Sequence, residues 1–386
     1  MTEGCIRGVV EAIHSTPTQA VIYLAGGASQ ALGWLMSASG ASSTVLEVVV
    51  PYSRTSMVQL IGKNPAQFTS KQTSEEMALL AYNRALKLSR PGVPVVGLGF
   101  TASLASSTPK RGDHRFFVST RTSDRLLTTN VTLSKGMRTR EEEDKVSGHF
   151  LLKAIADVCN VSVDCSLKLN ESETPTEHEE IYNEDEEIQQ LLDGKITMKL
   201  YPFGTENYQS KSERMIILPG SFNPVHDGHL KLLEAALNII DDGFPCFEIS
   251  AVNADKPPLS VDQIKDRLLQ FKKIGKNVVI TNKPYFYEKA QLFPGCTFVI
   301  GVDTVSRLID PKYHSGNYDK MLDGLKSCKN YNSKFIVGAR TVDGNLKVLE
   351  DVDIPENLKD MFISIPENIF RMDISSTDIR KKKNSI

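Results

Sequence analysis

Two histidines three residues apart, His226 and His229, have the type and spacing that suit phosphate chemistry. They lie in the run GSFNPVHDGHL at 220–230, with Gly228 between them. This spacing places two side chains on one face of the first turn of a helix, and a glycine lets a ligand approach the backbone. Imidazoles there can stabilise charge that grows during phosphate transfer. Zinc binding and ordinary surface histidines are the alternatives, although no third metal ligand stands nearby.

A second run, ISSTDIRKKK at 374–383, combines hydroxyl side chains with a basic one. Ser375, Ser376 and Thr377 are good caps for a helix that starts near Thr377. A hydroxyl-rich helix start can bind phosphate, and Arg380, one turn further on, is a forked donor. The run predicts a second phosphate-binding element, with a helix cap followed by a basic tail as the alternative.

Apolar runs of strand length, separated by helical patterns, must position both runs. MIILPGSF at 215–222 reads as a buried strand that ends in a glycine turn, and 226–241 reads as an amphipathic helix. Further strands are predicted at 247–252, 277–281, 297–303 and 334–340. This alternation predicts a doubly wound, mainly parallel sheet, in which ligands gather at the carboxyl ends of the strands.

The two runs together resemble the signature pair of the nucleotidylyltransferase superfamily, HxGH after a strand and a late ISSTxIR. That superfamily includes the nicotinate and nicotinamide mononucleotide adenylyltransferases, and the likeness covers 214–386. The resemblance implies an enzyme with a Rossmann-like fold that binds a nucleoside triphosphate with Mg²⁺. It also implies that an acceptor phosphate attacks the α-phosphate and that pyrophosphate is released.

The resemblance also implies roles for individual residues. It assigns catalysis to His226, His229 and Arg380. It assigns nucleotide binding to Gly220, Ser221, Phe222, Lys256, Gly301, Asp303, Ser375, Ser376 and Thr377. For Lys256 the alternative is a solvent-facing lysine, and for Asp303 it is a helix N-cap. No residue is assigned to a metal.

The acceptor is the open part of this hypothesis. The resemblance favours transfer of AMP from ATP to nicotinamide or nicotinate mononucleotide. Adenylyltransferases of this kind commonly stack the pyridine ring on a tryptophan, and the only one here, Trp34, lies in the other half. Tyr285, Phe286 or Tyr287 could substitute, because any aromatic face stacks. Adenylyl or cytidylyl transfer to another phosphorylated acceptor is the alternative.

The first half of the chain also alternates strands and helices, which predicts a separate α/β domain. Strands are expected at 20–25, 44–53, 93–102 and 114–122, and helices at 73–89, capped by Thr73 or Ser74, and 140–159.

This half resembles, more faintly, the nicotinamide-nucleotide amidohydrolase-like C-terminal domain of the competence-damage-inducible (CinA) family. The likeness rests on AGG at 25–27, VVVPYS at 48–53 and the helix at 73–86. The family's serine nucleophile corresponds to Tyr23 and its lysine to Met57. A hydroxyl nucleophile needs an activating partner, so the resemblance implies a degenerate domain that binds a nucleotide, a regulator or another subunit. An amidohydrolase and a non-catalytic nucleotide-binding scaffold are the competing functions.

The strongest change in composition lies at 170–193, which holds ten acidic residues and no Lys or Arg. Such a run repels itself. The expected organisation is therefore a degenerate CinA-like domain at 1–165, an acidic linker at 166–213 and a nucleotidylyltransferase domain at 214–386. Within the acidic run, 184–192 is expected to be helical.

Charge, hydropathy and cysteine content exclude several classes of partner and site. The chain has 45 basic and 47 acidic residues, which gives no electrostatic signature of nucleic-acid binding. No apolar run approaches the ~20 residues of a membrane span, and no secretory signal is recognisable. Six cysteines without a CxxC pair argue against a zinc ribbon and suggest reduced thiols. We expect a cytoplasmic protein whose partners are ATP or CTP and a phosphorylated small molecule, with no nucleic acid or membrane, and which could form a homo-oligomer.

Overall fold

A computed structural model describes two compact units, Met1–Glu187 and Ile188–Ile386. The described residues are 1–108, 110–163, 169–204, 214–240, 242–252, 257–342, 345–372 and 380. Each unit has its own sheet, so each is described by itself.

The first unit is built on a six-stranded sheet in the order β2-β1-β3-β4-β5-β6. The strands are β1 Gln19–Ala25, β2 Val45–Val49, β3 Val95–Ser103, β4 His114–Arg121, β5 Arg125–Leu133 and β6 Thr176–Ile181. The helices are α1 Glu3–His14, α2 Ser29–Ser37, α3 Ala41–Thr44, α4 Arg54–Ile61, α5 Lys71–Leu88 and α6 Arg140–Val158. Helix α7, Glu184–Leu192, begins in the first unit and ends in the second. The first three strands of the order are parallel and the remaining pairings are antiparallel.

Two glycines of β3 let α5 pack directly on the sheet. A Cβ at Gly97 would lie 2.1 Å from the backbone N of Tyr82, and one at Gly99 would lie 2.0 Å from the carbonyl O of Ser74. Helix α5 starts earlier than expected, because the side chain of Ser70 accepts the N–H of Thr73 and caps it. The expected cap at Thr73 or Ser74 is therefore wrong by one turn.

The second unit is built on a nine-stranded sheet, with β13-β12-β11-β8-β9-β10-β7 as its path and β14 and β15 also paired to β12. The strands are β7 Met198–Tyr201, β8 Met215–Pro219, β9 Phe244–Ser250, β10 Val278–Thr281, β11 Thr297–Gly301, β12 Lys334–Val342, β13 Asn345–Lys347, β14 Phe362–Ser364 and β15 Arg371–Met372. The helices are α8 Asp227–Leu237, α9 Val261–Ile274, α10 Phe286–Leu292, α11 Val302–Leu308 and α12 Tyr318–Asn330, with 3₁₀ turns at Pro311–His314, Leu349–Asp351 and Glu356–Met361.

The strand order of this sheet reverses next to β8. From β8 the chain adds β9 and β10 on one side and then returns to add β11 and β12 on the other, all in parallel. The carboxyl ends of β8 and β11 therefore flank a topological switch point, where open α/β sheets place their ligands. The expected Rossmann-like α/β domain, preceded by a separate α/β domain, is confirmed.

The acidic stretch differs from the linker expected at 166–213. Residues 176–181 pair with β5 as strand β6, and residues 198–201 pair with β10 as strand β7. All six residues of β6 are exposed, so this edge strand is held by its backbone and tolerates acidic side chains. Both units therefore extend into the segment assigned to the linker. The helix expected at 184–192 is present as α7.

Four cysteines, Cys159, Cys246, Cys296 and Cys328, are free and buried. Cys5 is disulfide-bonded, which the expectation of reduced thiols did not include. Among the described helices, none has both the length and the apolar character needed to cross a membrane.

Candidate active site

The turn after β8 is fixed by tight packing beneath it. Gly220 donates its N–H to the carbonyl of Glu248 at 3.0 Å, and a Cβ at Gly220 would lie 2.7 Å from the Phe222 ring. Phe222 itself has a left-handed backbone, with φ of 42°. Its ring is only 1% exposed and packs edge-on against Phe247 and Phe271. The side chain of Phe222 is therefore a core anchor, and the predicted nucleotide contact of this residue would fall to its main chain.

Two side chains of helix α9 bind main-chain atoms of the same turn. Arg267 Nε donates to the carbonyl of Ser221 at 2.8 Å. Gln270 donates Nε2 to the carbonyl of Phe222 at 3.3 Å and accepts the N–H of Val225 at 3.0 Å. These bonds fix the path of the chain into α8 before any ligand is present.

Arg380 connects the late motif to this turn. Its Nη1 donates to the carbonyl of Asn223 at 2.5 Å, and its side chain is exposed. Arg380 of the late motif therefore contacts the turn that carries the first motif. Four expected site residues lie outside the described residues: Lys256, Ser375, Ser376 and Thr377.

The two histidines stack at the start of α8. Their ring centroids are 3.7 Å apart, with planes 23° from parallel. The N–H of His226 donates to Nδ1 of His229 at 3.3 Å. Because Nδ1 accepts, the proton of the neutral His229 ring sits on Nε2, which becomes a positioned donor. Nδ1 of His226 is buried and has no hydrogen-bond partner in the described part of the chain.

Both imidazoles are neutral at pH 7. Burial, together with the neighbouring His226 and Arg340, lowers the pKa of His229 to about 3. Burial also lowers the pKa of His226, with Arg340 adding to the effect and Asp227 opposing it. The pair therefore offers hydrogen-bond donors and acceptors rather than positive charge.

A carboxylate in the first turn of α11, just after strand β11, belongs to the same polar cluster. Gly301 ends β11 and is the N-cap of α11, so Asp303 lies in the first turn rather than at the cap. Oδ2 of Asp303 accepts from Arg340 Nη1 at 2.9 Å. Its Oδ1 is buried and accepts no hydrogen bond from the residues that the structure describes. A Cβ at Gly301 would lie 2.6 Å from that oxygen, so the glycine leaves room for the carboxylate.

Arg340 was not predicted from the sequence. It lies towards the carboxyl end of β12, which pairs with β11 in parallel register. A sequence signal for Arg340 does exist. The apolar run KFIVGAR at 334–340 ends in an arginine, just as the apolar run VIGVD at 299–303 ends in an aspartate, and parallel neighbouring strands place such ends at the same edge of the sheet.

A buried ion pair supports the other side of the turn. Lys289 Nζ lies 2.8 Å from Glu248 Oε2. Oε1 of Glu248 accepts from Thr281 at 2.6 Å and from Ser250 at 3.1 Å. One carboxylate thus ties α10 to β9 and β10, next to the strand end that begins the turn.

Two of the three aromatic candidates keep an accessible face. Tyr285 and Tyr287 stack at 5.4 Å with planes 9° apart, and they are 39% and 38% exposed. The ring of Phe286 instead packs edge-on against Phe298 and Phe335. Phe286 is therefore a packing residue, and the two tyrosines stay candidates for stacking a ring.

In the first unit, the residues at the positions where the sequence resemblance predicts the nucleophile and lysine are buried. Tyr23 is 5% exposed and lies near Glu47, which pairs with Arg84 at 2.7 Å. Burial raises the pKa of Tyr23. Met57 is 3% exposed. Neither lines the pocket of about 590 Å³ at the carboxyl end of β1.

At the start of α2, beside that pocket, the backbone N–H groups are hydrogen-bonded to side chains of helix α6. Asp144 accepts the N–H groups of Ser29 and Gln30 at 3.1 and 3.2 Å and the Ser29 hydroxyl at 2.9 Å. The N–H of Ala28 donates to the Ser147 hydroxyl at 3.0 Å. The donors that an anion would use at this helix start are therefore already bound.

Comparisons with known proteins agree with the geometry of the second unit. Residues 217–382 match the family model of cytidylyltransferase-like proteins. A search of curated proteins finds no match.

Among solved structures, the chain is similar to the competence/damage-inducible protein CihA from Agrobacterium tumefaciens, with 18% identity and a TM-score of 0.34, covering 41% of this chain and 98% of that one. It is also similar to a CinA superfamily protein from Enterobacter cloacae, with 13% identity and a TM-score of 0.33, covering 40% and 92%. Residues 217–382 thus form a cytidylyltransferase-like region of the nucleotidyltransferase superfamily, as the two motifs predicted, and this supports a nucleotidyltransferase-type function.

Proposed function

We propose that the second unit transfers AMP from ATP to a phosphorylated acceptor and releases pyrophosphate. The observation that carries this proposal is the stacked pair of His226 and His229 at the start of α8, beside the switch point of the sheet. Two buried polar atoms there, Nδ1 of His226 and Oδ1 of Asp303, have no partner among the described residues. Such atoms favour a polar ligand, because an unmet buried group is costly.

The reaction needs no covalent nucleophile from the protein. An oxygen of the acceptor phosphate attacks the α-phosphorus and forms a new P–O bond. The bond from the α-phosphorus to the oxygen that bridges to the β-phosphate breaks, and pyrophosphate leaves with that electron pair. The Nε2–H of His229 donates to a phosphate oxygen on which negative charge grows. Catalysis then rests on positioning and electrostatic stabilisation.

Mg²⁺ fits this site as part of the triphosphate complex. The described residues contain no group of three or more His, Cys, Asp or Glu side chains that could hold a metal ion. Mg²⁺ is commonly held by substrate phosphates and water with one or two carboxylates. Asp303, whose Oδ1 has no described partner, would be the protein oxygen available to it. The ion would supply charge neutralisation.

A pyridine mononucleotide is the acceptor that we favour. Tyr285 and Tyr287 present stacked, partly exposed rings in the second unit. Trp34, the only tryptophan of the chain, stacks on His149 in the first unit at 5.1 Å. We propose that the tyrosines replace the tryptophan that related enzymes use, because an aromatic ring stacks on either.

The remaining assignments follow the superfamily pattern. We propose that Lys256 and the hydroxyls of Ser375, Ser376 and Thr377 bind phosphates, and that Arg380 assists them. Gly220 and Ser221 would line the nucleotide by their backbone.

A panel of acceptors tests the proposal. The full chain is incubated with Mg²⁺ and either ATP or CTP, together with nicotinamide mononucleotide, nicotinate mononucleotide, phosphopantetheine or a phosphorylated alcohol. Pyrophosphate release is expected with ATP and a pyridine mononucleotide. Release with CTP or another acceptor would support the alternative substrates, and no release from any pair would favour a non-catalytic nucleotide-binding scaffold.

A further inference from the structure

One cation beside the imidazole pair has no role in the mechanism above. Arg340 uses Nη1 to bind Asp303 at 2.9 Å, and its other guanidinium N–H groups donate to no residue that the structure describes. It lies close enough to His226 and His229 to disfavour protonation of both rings. A guanidinium is permanently charged and carries five donors in a fixed fork.

The other two arginines at the turn are engaged differently. Arg267 donates to the carbonyl of Ser221, and Arg380 donates to the carbonyl of Asn223. Both therefore bind the main chain of the turn and hold its shape. Arg340 instead is held by a carboxylate on one nitrogen, at the carboxyl ends of the paired strands β11 and β12 beside the switch point.

We propose that Arg340 is a phosphate-binding residue of this site and contacts the β- and γ-phosphates that leave as pyrophosphate. The imidazoles donate hydrogen bonds while neutral, so a polyphosphate needs a permanent positive charge from another group. Arg340 supplies such a charge, in addition to those proposed for Lys256 and Arg380, and Asp303 positions it. The identity of the substrate rests on the proposed function, whereas the recognition of a polyphosphate rests on this cluster alone.

The role of Arg340 would be largest when the bond to the leaving group breaks. As the bond from the α-phosphorus to the bridging oxygen lengthens, negative charge moves onto pyrophosphate. A fixed donor aimed at that charge stabilises the transition state more than the ground state. No proton or electron is taken up by Arg340 in this step.

Calorimetric titration of the full chain with inorganic tripolyphosphate tests the assignment. Arg340→Gln should weaken binding at least about tenfold, the range for a lost hydrogen bond to a charged group. Arg340→Lys keeps the positive charge but loses the forked donors, so its affinity for tripolyphosphate should lie between those of the wild type and Arg340→Gln. Arg307→Gln is the control, because Arg307 is an exposed arginine on α11 and its loss changes net charge equally. Thermal melting of each variant verifies folding.

A second readout separates a binding role from a structural one. His226 faces Arg340, Asp227 and His229, so loss of the arginine charge should move its protonation, followed by NMR, to higher pH. Arg340→Lys should leave that titration near the wild-type value.

The assignment is overturned if Arg340→Gln binds tripolyphosphate within twofold of the wild type, or if the wild type binds none. A wild type that binds tripolyphosphate through Arg340 but releases no pyrophosphate from any triphosphate would refute the proposed function and leave this assignment intact.

Discussion

The turns after β1 and β8 have the same strand–glycine–helix pattern, but their helix starts differ in whether side chains of the protein already occupy them. Each leaves a buried parallel strand, passes through glycine and opens a helix. At the start of α2, Asp144 and Ser147 already bind the first backbone N–H groups. At the start of α8 stand two stacked imidazoles instead, and the buried Nδ1 of His226 has no partner among the described residues. A strand–glycine–helix pattern therefore does not by itself make an anion site; residues more than 100 positions away decide whether it is filled.

The largest expected effect concerns the imidazoles of the second turn. His226→Ala or His229→Ala should lower turnover on a confirmed substrate on the order of a hundredfold or more, the usual effect of removing a preorganised donor. Steady-state kinetics and thermal melting, measured together, check that the fold persists. His178→Ala, on the exposed strand β6, is the matched control and should keep wild-type turnover. Near wild-type rates in both site variants would remove the catalytic assignment.

The next largest effect concerns Asp144, whose carboxylate binds the backbone N–H groups at the start of α2. Asp144→Ala should lower the free energy of unfolding by about 2 kcal/mol, as for loss of a strong helix cap. The exposed Glu141, on the same helix, is the control, and Glu141→Ala should cost only about 0.5 kcal/mol. Urea denaturation measures both. Turnover of the second unit should be unchanged by either, and a parallel loss of turnover would contradict the separation of the two turns.

A smaller effect is the dependence of stability on pH. His229 has a pKa of about 3 in the folded chain, against about 6.5 when unfolded. Between these values the unfolded chain binds a proton that the folded chain does not, so stability is complete above pH 6.5 and is lost as pH falls. Urea denaturation at pH 7, 6 and 5 should show a shallower decline for His229→Gln than for the wild type. Equal slopes would mean that His229 titrates normally.

The smallest expected effect is an absence of activity in the first unit. The full chain should release no ammonia from nicotinamide mononucleotide, because the sequence resemblance places Tyr23 and Met57 at the positions of the family's nucleophile and lysine, and both are buried. A coupled glutamate dehydrogenase assay measures this. Ammonia release that disappears on substitution of another serine of this unit would show that the alignment with the amidohydrolases is wrong.

Local patterns predicted most of the fold. The strand that became β1 and the helices that became α6 and α7 lie close to their expected positions, because period and capping residues are readable locally. The acidic run was predicted to be a linker, because its polar composition indicates that few side chains are buried. Strand β6 needs no buried side chains, since its backbone pairs with β5 and all six of its residues are exposed.

The candidate site was predictable where it lies in contiguous motifs. His226 and His229 share one helical turn, so their spacing alone brings them together. Arg340 and the packing of Phe222 depend on which strands are neighbours and on which face a ring takes, and neither is encoded in a short run. The same reason hid Asp144, which reaches the start of α2 from a helix 115 residues away.

The most direct test of the central claim follows the α-phosphate of ATP. ATP labelled at that position is incubated with the full chain, Mg²⁺ and nicotinamide mononucleotide, and the products are separated. We predict that the label appears in a dinucleotide joined to the acceptor phosphate, that unlabelled pyrophosphate forms in equal amount, and that a variant carrying both His226→Ala and His229→Ala forms neither at a comparable rate. Label recovered in ADP, or transfer at the wild-type rate in the double variant, would contradict the account.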